Sequence, residues 1–351
     1  MTSDSPDEAQ NADAPGVDSV PLLSVRNLSV RLGRFNLVDG VSLEVHAGRT
    51  HGLVGESGSG KSLSALAVLG LLDRRMFACT ADEIRLAGRD ILNLPEREMQ
   101  RIRGSEISMI FQEPMAALNP VLTVGEQIIE TLRVHQGLTR RQARTEAMEL
   151  LSRVRIPAPR ERIDDYPHNM SGGMRQRAMI AIAIACRPRL LIADEPTTAL
   201  DVTIQAQILE LLHDLQSEFG MGILLITHDL GVVAGYAADV AVMYAGRVVE
   251  TGSVGQLFDR SLHPYTEGLL QSHPPIDDDV DTLSAIPGNV PEPHMRPAGC
   301  RFGPRCRYFD PACAVAEPPL MDFGADHRAA CIRHNGYRQP ASERVRDAAP
   351  A

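Results

Sequence analysis

The fold of this chain is decided by the stretch Gly55-Glu56-Ser57-Gly58-Ser59-Gly60-Lys61-Ser62, which fits the pattern G-x-x-x-x-G-K-[ST]. The stretch follows the apolar run from His51 to Val54 and opens an apolar helical run from Lys61 to Leu72. In this context the glycines let backbone N–H groups curl around phosphate oxygens, and the helix N-terminus adds a partial positive charge. The stretch therefore predicts a phosphate-binding loop, in which Lys61 reaches the β- and γ-phosphates of a nucleotide and Ser62 binds Mg²⁺.

Lys61 is also the only lysine of the chain, since the other basic residues among the 35 Lys and Arg are all arginine. An ammonium is a compact point charge, whereas a guanidinium is planar and presents a rigid fork of donors. A lysine kept at this one position indicates that the loop requires the compact charge.

A second stretch carries acids at the end of a buried strand, Arg189-Leu190-Leu191-Ile192-Ala193-Asp194-Glu195. At the strand end Asp194 is placed to hold Mg²⁺, directly or through water. Glu195, one residue further on, can face the γ-phosphate and polarise an attacking water. Beside a phosphate-binding loop, these acids predict a catalytic role rather than a solvated pair.

Strand-like and helix-like runs alternate along residues 22–250, which indicates an α/β fold with a largely parallel sheet. The segment 123–185 is mostly helical in pattern and predicts a lobe attached to that sheet. The strand-like runs are 23–32, 41–45, 50–54, 105–111, 190–193, 222–227 and 240–244, and the other helical runs are 61–72, 202–219 and 230–236.

Charge and hydropathy exclude several classes of protein. The formal net charge is −10 and the pI about 5.6, which disfavours nucleic acid as a partner because that needs a basic face. No apolar run approaches the roughly 18–20 residues that span a bilayer. The first twenty residues carry five acids and no basic residue, so we expect neither a signal peptide nor a transit peptide there.

Four further motifs make the chain resemble the ATPases of the ATP-binding-cassette (ABC) family. The segment 170–177, Met-Ser-Gly-Gly-Met-Arg-Gln-Arg, resembles the family signature, with methionine at its first and fifth positions where Leu and Gln are usual. Gln112 matches the Q-loop, Ala199-Leu200-Asp201 the D-loop and His228 the switch histidine. The resemblance implies a P-loop NTPase cassette, with a RecA-like core, an antiparallel β subdomain and a helical subdomain.

The resemblance also implies how the residues are used. Two cassettes face head to tail, and Ser171, Gly172 and Gly173 cap the γ-phosphate of ATP held by the partner's loop. Glu195, His228 and Gln112 are the implied catalytic residues, and Ser62, Gln112 and Asp194 the implied Mg²⁺ ligands. Nucleotide contacts are implied for the following residues: Gly55, Glu56, Ser57, Gly58, Ser59, Gly60, Lys61, Ser62, Asp194, Ser171, Gly172, Gly173 and Asp201. The family's adenine-stacking position aligns with Leu32, and Phe35 is an alternative.

After Leu262 the composition changes, because eleven of the 24 prolines lie between Pro264 and Pro319. The element His263-Pro264-Tyr265-Thr266 resembles the C-terminal extension of oligopeptide and dipeptide importer ATPases. Few periodic runs occur here, so we expect a small appendage with little core that needs a cross-link or a metal.

Four of the six cysteines lie in this extension: Cys300, Cys306, Cys313 and Cys331. Disulfides are unexpected in a reducing cytosol, and the close C-x2–4-C pairs typical of zinc are absent. The family resemblance favours a [4Fe-4S] cluster, while zinc and unligated thiols remain alternatives. His327 and His334 are possible substitute ligands, and Cys79 and Cys186 are expected to be ordinary buried thiols.

The expected organisation is an acidic tail (1–20), a nucleotide-binding domain (21–262, with a helical subdomain at about 115–185), the extension (263–340) and a final tail (341–351). The resemblance implies a peripheral ATPase subunit on the cytoplasmic side of the bacterial inner membrane, driving oligopeptide or dipeptide import. Its implied partners are a second cassette, forming a heterodimer, two transmembrane permeases and an extracytoplasmic solute-binding protein, with no nucleic acid. An importer of nickel or another small solute, and a soluble cassette ATPase without a transport role, are the alternatives.

Overall fold

The computed structural model of the protein describes residues 20–198, 200–272 and 286–334. Ala199 of the predicted D-loop, nearly all of the predicted N-terminal tail and the whole of the predicted C-terminal tail lie outside the described residues.

The described residues form strands and helices in alternation. The strands are β1 (Leu23–Leu32), β2 (Phe35–Val45), β3 (Thr50–Val54), β4 (Phe77–Thr80), β5 (Glu83–Leu86), β6 (Arg89–Asp90), β7 (Ile107–Ile110), β8 (Leu190–Asp194), β9 (Gly222–Thr227), β10 (Asp239–Tyr244), β11 (Arg247–Ser253), β12 (Met321–Asp322) and β13 (Arg328–Ala329). The helices are α1 (Lys61–Val68), α2 (Glu96–Ile102), α3 (Pro114–Ala117), α4 (Val124–Gln136), α5 (Arg140–Arg153), α6 (Pro159–Arg162), α7 (Gly172–Ile184), α8 (Val202–Phe219), α9 (Leu230–Tyr236), α10 (Val254–Asp259) and α11 (Pro264–Gln271).

The larger sheet has eight strands in the order β12-β13-β11-β10-β3-β9-β8-β7. The five strands β10, β3, β9, β8 and β7 are parallel, and β11, β13 and β12 follow at one edge in antiparallel pairing. The carboxyl ends of parallel strands meet at one edge of a sheet, where α/β proteins bind ligands. The loops after β3, β9 and β8, which carry predicted site residues, therefore lie at the same edge of the sheet.

A second sheet is antiparallel, with the order β2-β1-β5-β6 and with β4 also paired to β1. Its apolar face packs with α1 and the larger sheet around a buried cluster that includes Val30, Val38, Leu53 and Ile192. The arrangement confirms the predicted α/β class and the antiparallel β subdomain.

Helices α4 and α5 begin at strong capping signals. The hydroxyl of Thr123 accepts from the Glu126 N–H, and that of Thr139 accepts from the Gln142 N–H; each is part of a reciprocal capping box. These helices pack with α7 and one face of the larger sheet around a cluster that includes Leu132, Leu151 and Ile180. The N-terminus of α7, which carries the predicted signature, thus lies in the same lobe as α4 and α5.

The C-terminal extension shares a core with the cassette, contrary to the expectation of an appendage with little core. Tyr265 and Phe302 are buried with Tyr244 of β10 and Val249 of β11 in one cluster. Strand β13 pairs with β11 and extends the larger sheet. Aromatic side chains supply the buried apolar area here, although the proline-rich composition predicted little core.

Three smaller expectations were wrong. The helix predicted to reach Leu72 ends at Val68, because Gly70 adopts a left-handed conformation with φ +62°. The strand predicted over 41–45 begins at Phe35, since it pairs with β1 through a tight hairpin. Cys79, expected to be buried, is exposed on the short strand β4, and Cys186 is half-buried. In the part of the chain that is described, no helix combines the length and apolarity required to cross a membrane.

Candidate functional site

The predicted phosphate-binding loop occupies the turn between β3 and α1, as its sequence indicated. A β-carbon on Gly55 would lie 2.2 Å from the Met243 carbonyl oxygen, so only glycine fits there. Gly60 caps the N-terminus of α1 at φ +104°, a conformation that side chains disfavour. The loop therefore curls tightly under the free N–H groups of α1, which is the arrangement that binds phosphate.

Lys61 is buried, with 4% of its surface exposed. Its Nζ donates to the carbonyl oxygens of Gly55 at 2.6 Å and Glu56 at 3.1 Å, and lies 3.5 Å from Ser59 Oγ. Burial lowers the pKa of Lys61, while the charges of Glu195, Asp194 and Glu56 act to raise it. The ammonium is thus held inside the loop at the point where it can meet phosphate oxygens.

Ser62 and Asp194 meet across the loop, with Ser62 Oγ donating to Asp194 Oδ1 at 2.9 Å. Burial raises the pKa of Asp194 and the charge of Glu195 adds to this, against the hydrogen bond of Ser62 and the charge of Lys61. A buried carboxylate beside a hydroxyl is the oxygen donor set that Mg²⁺ prefers. These residues fit the predicted metal.

Glu195 follows β8 with a left-handed backbone, φ +46°, which is rare for a side chain of this size and typical of functional sites. Its Oε2 accepts from Gln112 Nε2 at 2.9 Å and from Thr198 Oγ1 at 2.8 Å. The Nδ1 of His228 lies 3.6 Å from its Oε1. The structure thus brings together the predicted catalytic residues, and adds Thr198, which the sequence analysis missed.

The signature residues lie at the N-terminus of α7. Ser171 caps α7 by accepting from the Met174 N–H at 3.3 Å, and Asp201 caps α8 by accepting from the Ile204 N–H at 2.9 Å. A β-carbon on Gly173 would lie 3.1 Å from Ile204 Cγ2, so α7 and α8 are in close contact. Within the described residues, no hydrogen bond or ion pair joins Ser171 to the loop 55–62.

The candidate adenine contacts lie at the tip of the β1–β2 hairpin, where Leu32 and Phe35 are paired. The same strand β2 reaches the phosphate loop, because a β-carbon on Gly60 would lie 3.3 Å from Val38 Cγ2. Strand β2 therefore connects the hairpin tip, which carries the candidate adenine contacts, to the border of the phosphate loop.

The four cysteines of the extension are neighbours. Burial raises the pKa of Cys300 to about 12 and raises those of Cys306 and Cys331, and the nearby Cys313 adds to each shift. Nevertheless, across residues 20–198, 200–272 and 286–334 no three His, Cys, Asp or Glu side chains are grouped closely enough to hold a metal ion. The structure does not support the predicted [4Fe-4S] cluster, nor its zinc alternative. His327, a predicted substitute ligand, pairs instead with Glu250 at 2.8 Å, and His334 Nε2 contacts the Leu262 carbonyl oxygen at 2.5 Å.

Two residues of the extension reach the phosphate loop, which no sequence motif indicated. The N–H of Glu56 donates to Tyr265 Oη at 2.8 Å. The guanidinium of Arg305 donates to both carboxylate oxygens of Glu56, at 2.7 and 3.0 Å.

Comparisons with known proteins agree with this geometry. The family described as "ABC transporter" matches residues 38–198, and the one described as "Oligopeptide/dipeptide transporter, C-terminal region" matches residues 249–313. A relative from Brucella melitensis, described as a peptide import ATP-binding protein, is 54% identical over 317 residues, covering 89% of this chain and 95% of the relative. A Brucella ovis protein of the same description is 50% identical over 328 residues, covering 89% and 97% of the two chains.

Among solved structures, a dimeric ATP-binding cassette in a post-hydrolysis state bound to ADP and Pi has 26% identity and a TM-score of 0.59, over 66% of this chain and 98% of that one. A Clostridium perfringens component of the cbiONQ ABC transporter complex has 25% identity and a TM-score of 0.59, over 68% and 91%. Sequence, fold and site geometry lead to one conclusion: the chain belongs to the ABC transporter family and is one of its ATP-hydrolysing cassettes.

Proposed function

We propose that this cassette is the ATP-hydrolysing subunit of a bacterial importer for oligopeptides or dipeptides. The observation that carries the proposal is the joint placement of Ser62–Asp194 and Gln112–Glu195 around the loop 55–62, in a chain that also carries the oligopeptide/dipeptide transporter C-terminal region. Relatives described as peptide import proteins support the cargo.

One half of the ATP site is formed by the loop 55–62 and the ends of β8 and β9. The loop N–H groups and Lys61 bind the phosphates, while Ser62, Asp194 and Gln112 hold Mg²⁺. Held by these residues, Mg²⁺ would supply positive charge that offsets the charge developing on the phosphates in the transition state. Glu195 takes the proton of the attacking water. His228, close to the same carboxylate, contacts the γ-phosphate.

The other half comes from a second cassette. Ser171, Gly172 and Gly173 at the N-terminus of α7 cap the γ-phosphate bound by the partner's loop, and Asp201 at the start of α8 lines the same interface. The resemblance of the segment 170–177 to the family signature, within the matched ABC transporter region, supports the assignment. ATP buried between the subunits holds them closed, and hydrolysis releases them.

Movement reaches the permeases through the segment that follows Gln112. This segment carries the exposed apolar side chains of Met115 and Val121, and Phe111, directly before Gln112, is also exposed. Gln112 itself contacts Glu195. The complete importer contains a second, different cassette, two permeases and an extracytoplasmic binding protein, and this subunit lies at the cytoplasmic face of the inner membrane.

We also propose a division of the chain into the cassette at 21–262, with its helical subdomain at about 115–185, and the extension at 263–340. The [4Fe-4S] cluster stays a prediction of the sequence alone. Anaerobic purification tests it: iron, acid-labile sulfide and a brown colour would support it, whereas a colourless protein without iron would exclude it.

The function is tested by co-expressing the chain with the permeases and cassette encoded beside it, and reconstituting the purified complex in vesicles with its binding protein. ATP-dependent uptake of a labelled dipeptide or oligopeptide is expected. Uptake of Ni²⁺ without peptide would identify the related nickel importer. ATP hydrolysis without any membrane partner would favour a soluble, non-transport cassette.

A further inference from the structure

A single residue of the phosphate loop, Glu56, joins the C-terminal extension to the catalytic lysine. Its N–H donates to Tyr265 Oη at 2.8 Å, and its carboxylate accepts from Arg305 at 2.7 and 3.0 Å. Its carbonyl oxygen accepts from Lys61 Nζ at 3.1 Å. All polar groups of this residue are therefore engaged, two of them by the extension and one by the lysine that binds phosphate.

Arg305 is rigidly placed for this contact. Its side chain is only 7% exposed, its Nε donates to the Pro287 carbonyl oxygen at 2.8 Å, and its guanidinium lies 5.7 and 6.0 Å from the ring centres of Tyr244 and Phe302. A bidentate arginine–carboxylate pair is among the stronger hydrogen-bonded contacts and fixes orientation as well as distance. Arg305 thus sets where the Glu56 side chain lies.

Tyr265 makes the second fixed contact. The residue is fully buried in the first turn of α11, and its ring packs against Tyr244 and Phe302 at 4.7 and 5.4 Å between ring centres. A buried tyrosine hydroxyl requires a hydrogen-bond partner, and here the partner is the backbone of the phosphate loop.

Two more arginines of the extension hold the neighbouring backbone. Arg301 donates to the Ala245 carbonyl oxygen at 2.7 Å and pairs with Asp39. The Gly246 N–H, adjacent to Ala245, donates to the Ser59 carbonyl oxygen of the phosphate loop at 2.8 Å. Arg296 contacts the Leu37 carbonyl oxygen at 3.3 Å. The extension therefore contacts the loop directly at Glu56, and it supports the backbone at 245–246 that in turn binds Ser59.

We infer that Arg305 and Tyr265 are positioning residues for ATP hydrolysis, which act through Glu56 to fix the phosphate loop and Lys61. Displacing Glu56 moves the carbonyl oxygen that holds the Lys61 ammonium, and reacting groups misplaced by about 1 Å can lose on the order of 10² in rate. The inference rests on the assignment of residues 55–62 as the ATP phosphate loop. A purely structural role, in which the contacts only attach the extension, is the alternative.

The test uses the full chain in its assembled complex and measures kcat, KM for MgATP and melting temperature together. We expect Arg305→Gln to raise KM and lower kcat/KM roughly 10- to 100-fold, and Arg305→Lys, which keeps the charge but loses the fork, to give an intermediate KM. Tyr265→Phe, which removes only the acceptor of the Glu56 N–H, should also raise KM.

Matched controls distinguish an effect of contact with the phosphate loop from a general effect of changing the extension. Arg307→Gln and Tyr308→Phe change the same residue types on the same segment, but their side chains contact Glu267 rather than the loop, so kcat and KM should stay at the wild-type values. Val249→Ala loosens the same core from β11; it should lower the melting temperature without raising KM.

A double-mutant cycle decides whether Arg305 acts through Glu56. If it does, Glu56→Gln combined with Arg305→Gln loses no more kcat/KM than either single change, since each removes the same contact. Additive losses, a wild-type KM in Arg305→Gln, or an equal rise in KM in Val249→Ala would each overturn the inference. A wild-type complex that hydrolyses no ATP would instead overturn the proposed function.

Discussion

Gln112 donates a hydrogen bond from Nε2 to Oε2 of Glu195 at 2.9 Å, although 83 positions separate the two residues in the chain. Gln112 belongs to the segment that we propose faces the permeases, and Glu195 is the proposed catalytic base. The hydrogen bond therefore connects these two parts of the cassette. Any movement of the Gln112 segment therefore changes the surroundings of the carboxylate that activates water, which gives transport and hydrolysis a shared element.

Replacing Glu195 by glutamine should lower ATP turnover by roughly 10² to 10⁴, because a general base contributes about that factor. ATP binding should persist, since Lys61 and the loop are unchanged, and the cassette dimer should stay closed in MgATP. Steady-state hydrolysis and size-exclusion chromatography check both points. Glu149→Gln, at an exposed position on α5, is the matched control, and full activity in Glu195→Gln would disprove the role of the base.

Asp194→Asn should abolish Mg²⁺-dependent hydrolysis and yet stabilise the metal-free protein. Burial raises the pKa of Asp194 above its usual 3.8, so ionised Asp194 destabilises the fold at neutral pH without a cation. The stability gained by Asp194→Asn over the wild type should shrink as the pH falls through the raised pKa towards 3.8, because wild-type Asp194 is then itself neutral. The melting temperature measured without Mg²⁺ reports this gain in stability, and each kcal/mol should raise it by about 2–4 °C. A lower melting temperature at neutral pH would contradict the prediction.

Ser171→Ala should reduce hydrolysis by roughly 10² through loss of a γ-phosphate donor, while ATP still binds to the individual cassette. The change also removes the cap of α7, at a cost of about 1 kcal/mol. Thr139→Ala removes an equivalent cap from α5 in the same lobe and should leave hydrolysis intact. Equal loss of ATP-dependent dimerisation in both variants would show that only the cap matters.

The shared core predicts that the extension does not fold apart from the cassette. Phe302 is 3% exposed and packs against Tyr244 and Tyr265, so Phe302→Ala should cost about 3–5 kcal/mol. Denaturant unfolding should remain a single transition at a lower midpoint. Two separate transitions in the wild type would contradict a shared core and favour an independent appendage.

The sequence predicted the parts of the site that local chemistry determines. Helix α8 was predicted at its observed bounds because Asp201 caps its start and Gly220, with φ +64°, ends it. The loop 55–62 is likewise complete within eight residues. The short strands β4 to β6 escaped prediction because few of their residues are buried, and pairing with β1 rather than their own pattern defines them.

The contact of Arg305 with Glu56 lay beyond sequence analysis for a different reason. Arginine supplies nearly every positive charge in the chain, so its presence at one position carries little information. The partner lies 249 residues away, and only the packing of the aromatic cluster brings the two together. Thr198 was missed because a threonine one turn after an acid is common in any loop.

The pairing of Glu56 with Arg305 also has a consequence for biosynthesis. On a ribosome that adds about 5–20 residues per second, the 249 residues between these partners take roughly 12–50 s to make. During that interval the nascent phosphate loop lacks its arginine support, and for the first 209 residues it lacks the tyrosine as well. The newborn cassette thus acquires a fully braced nucleotide loop only after Arg305 has been translated, later than the surfaces proposed to meet other subunits.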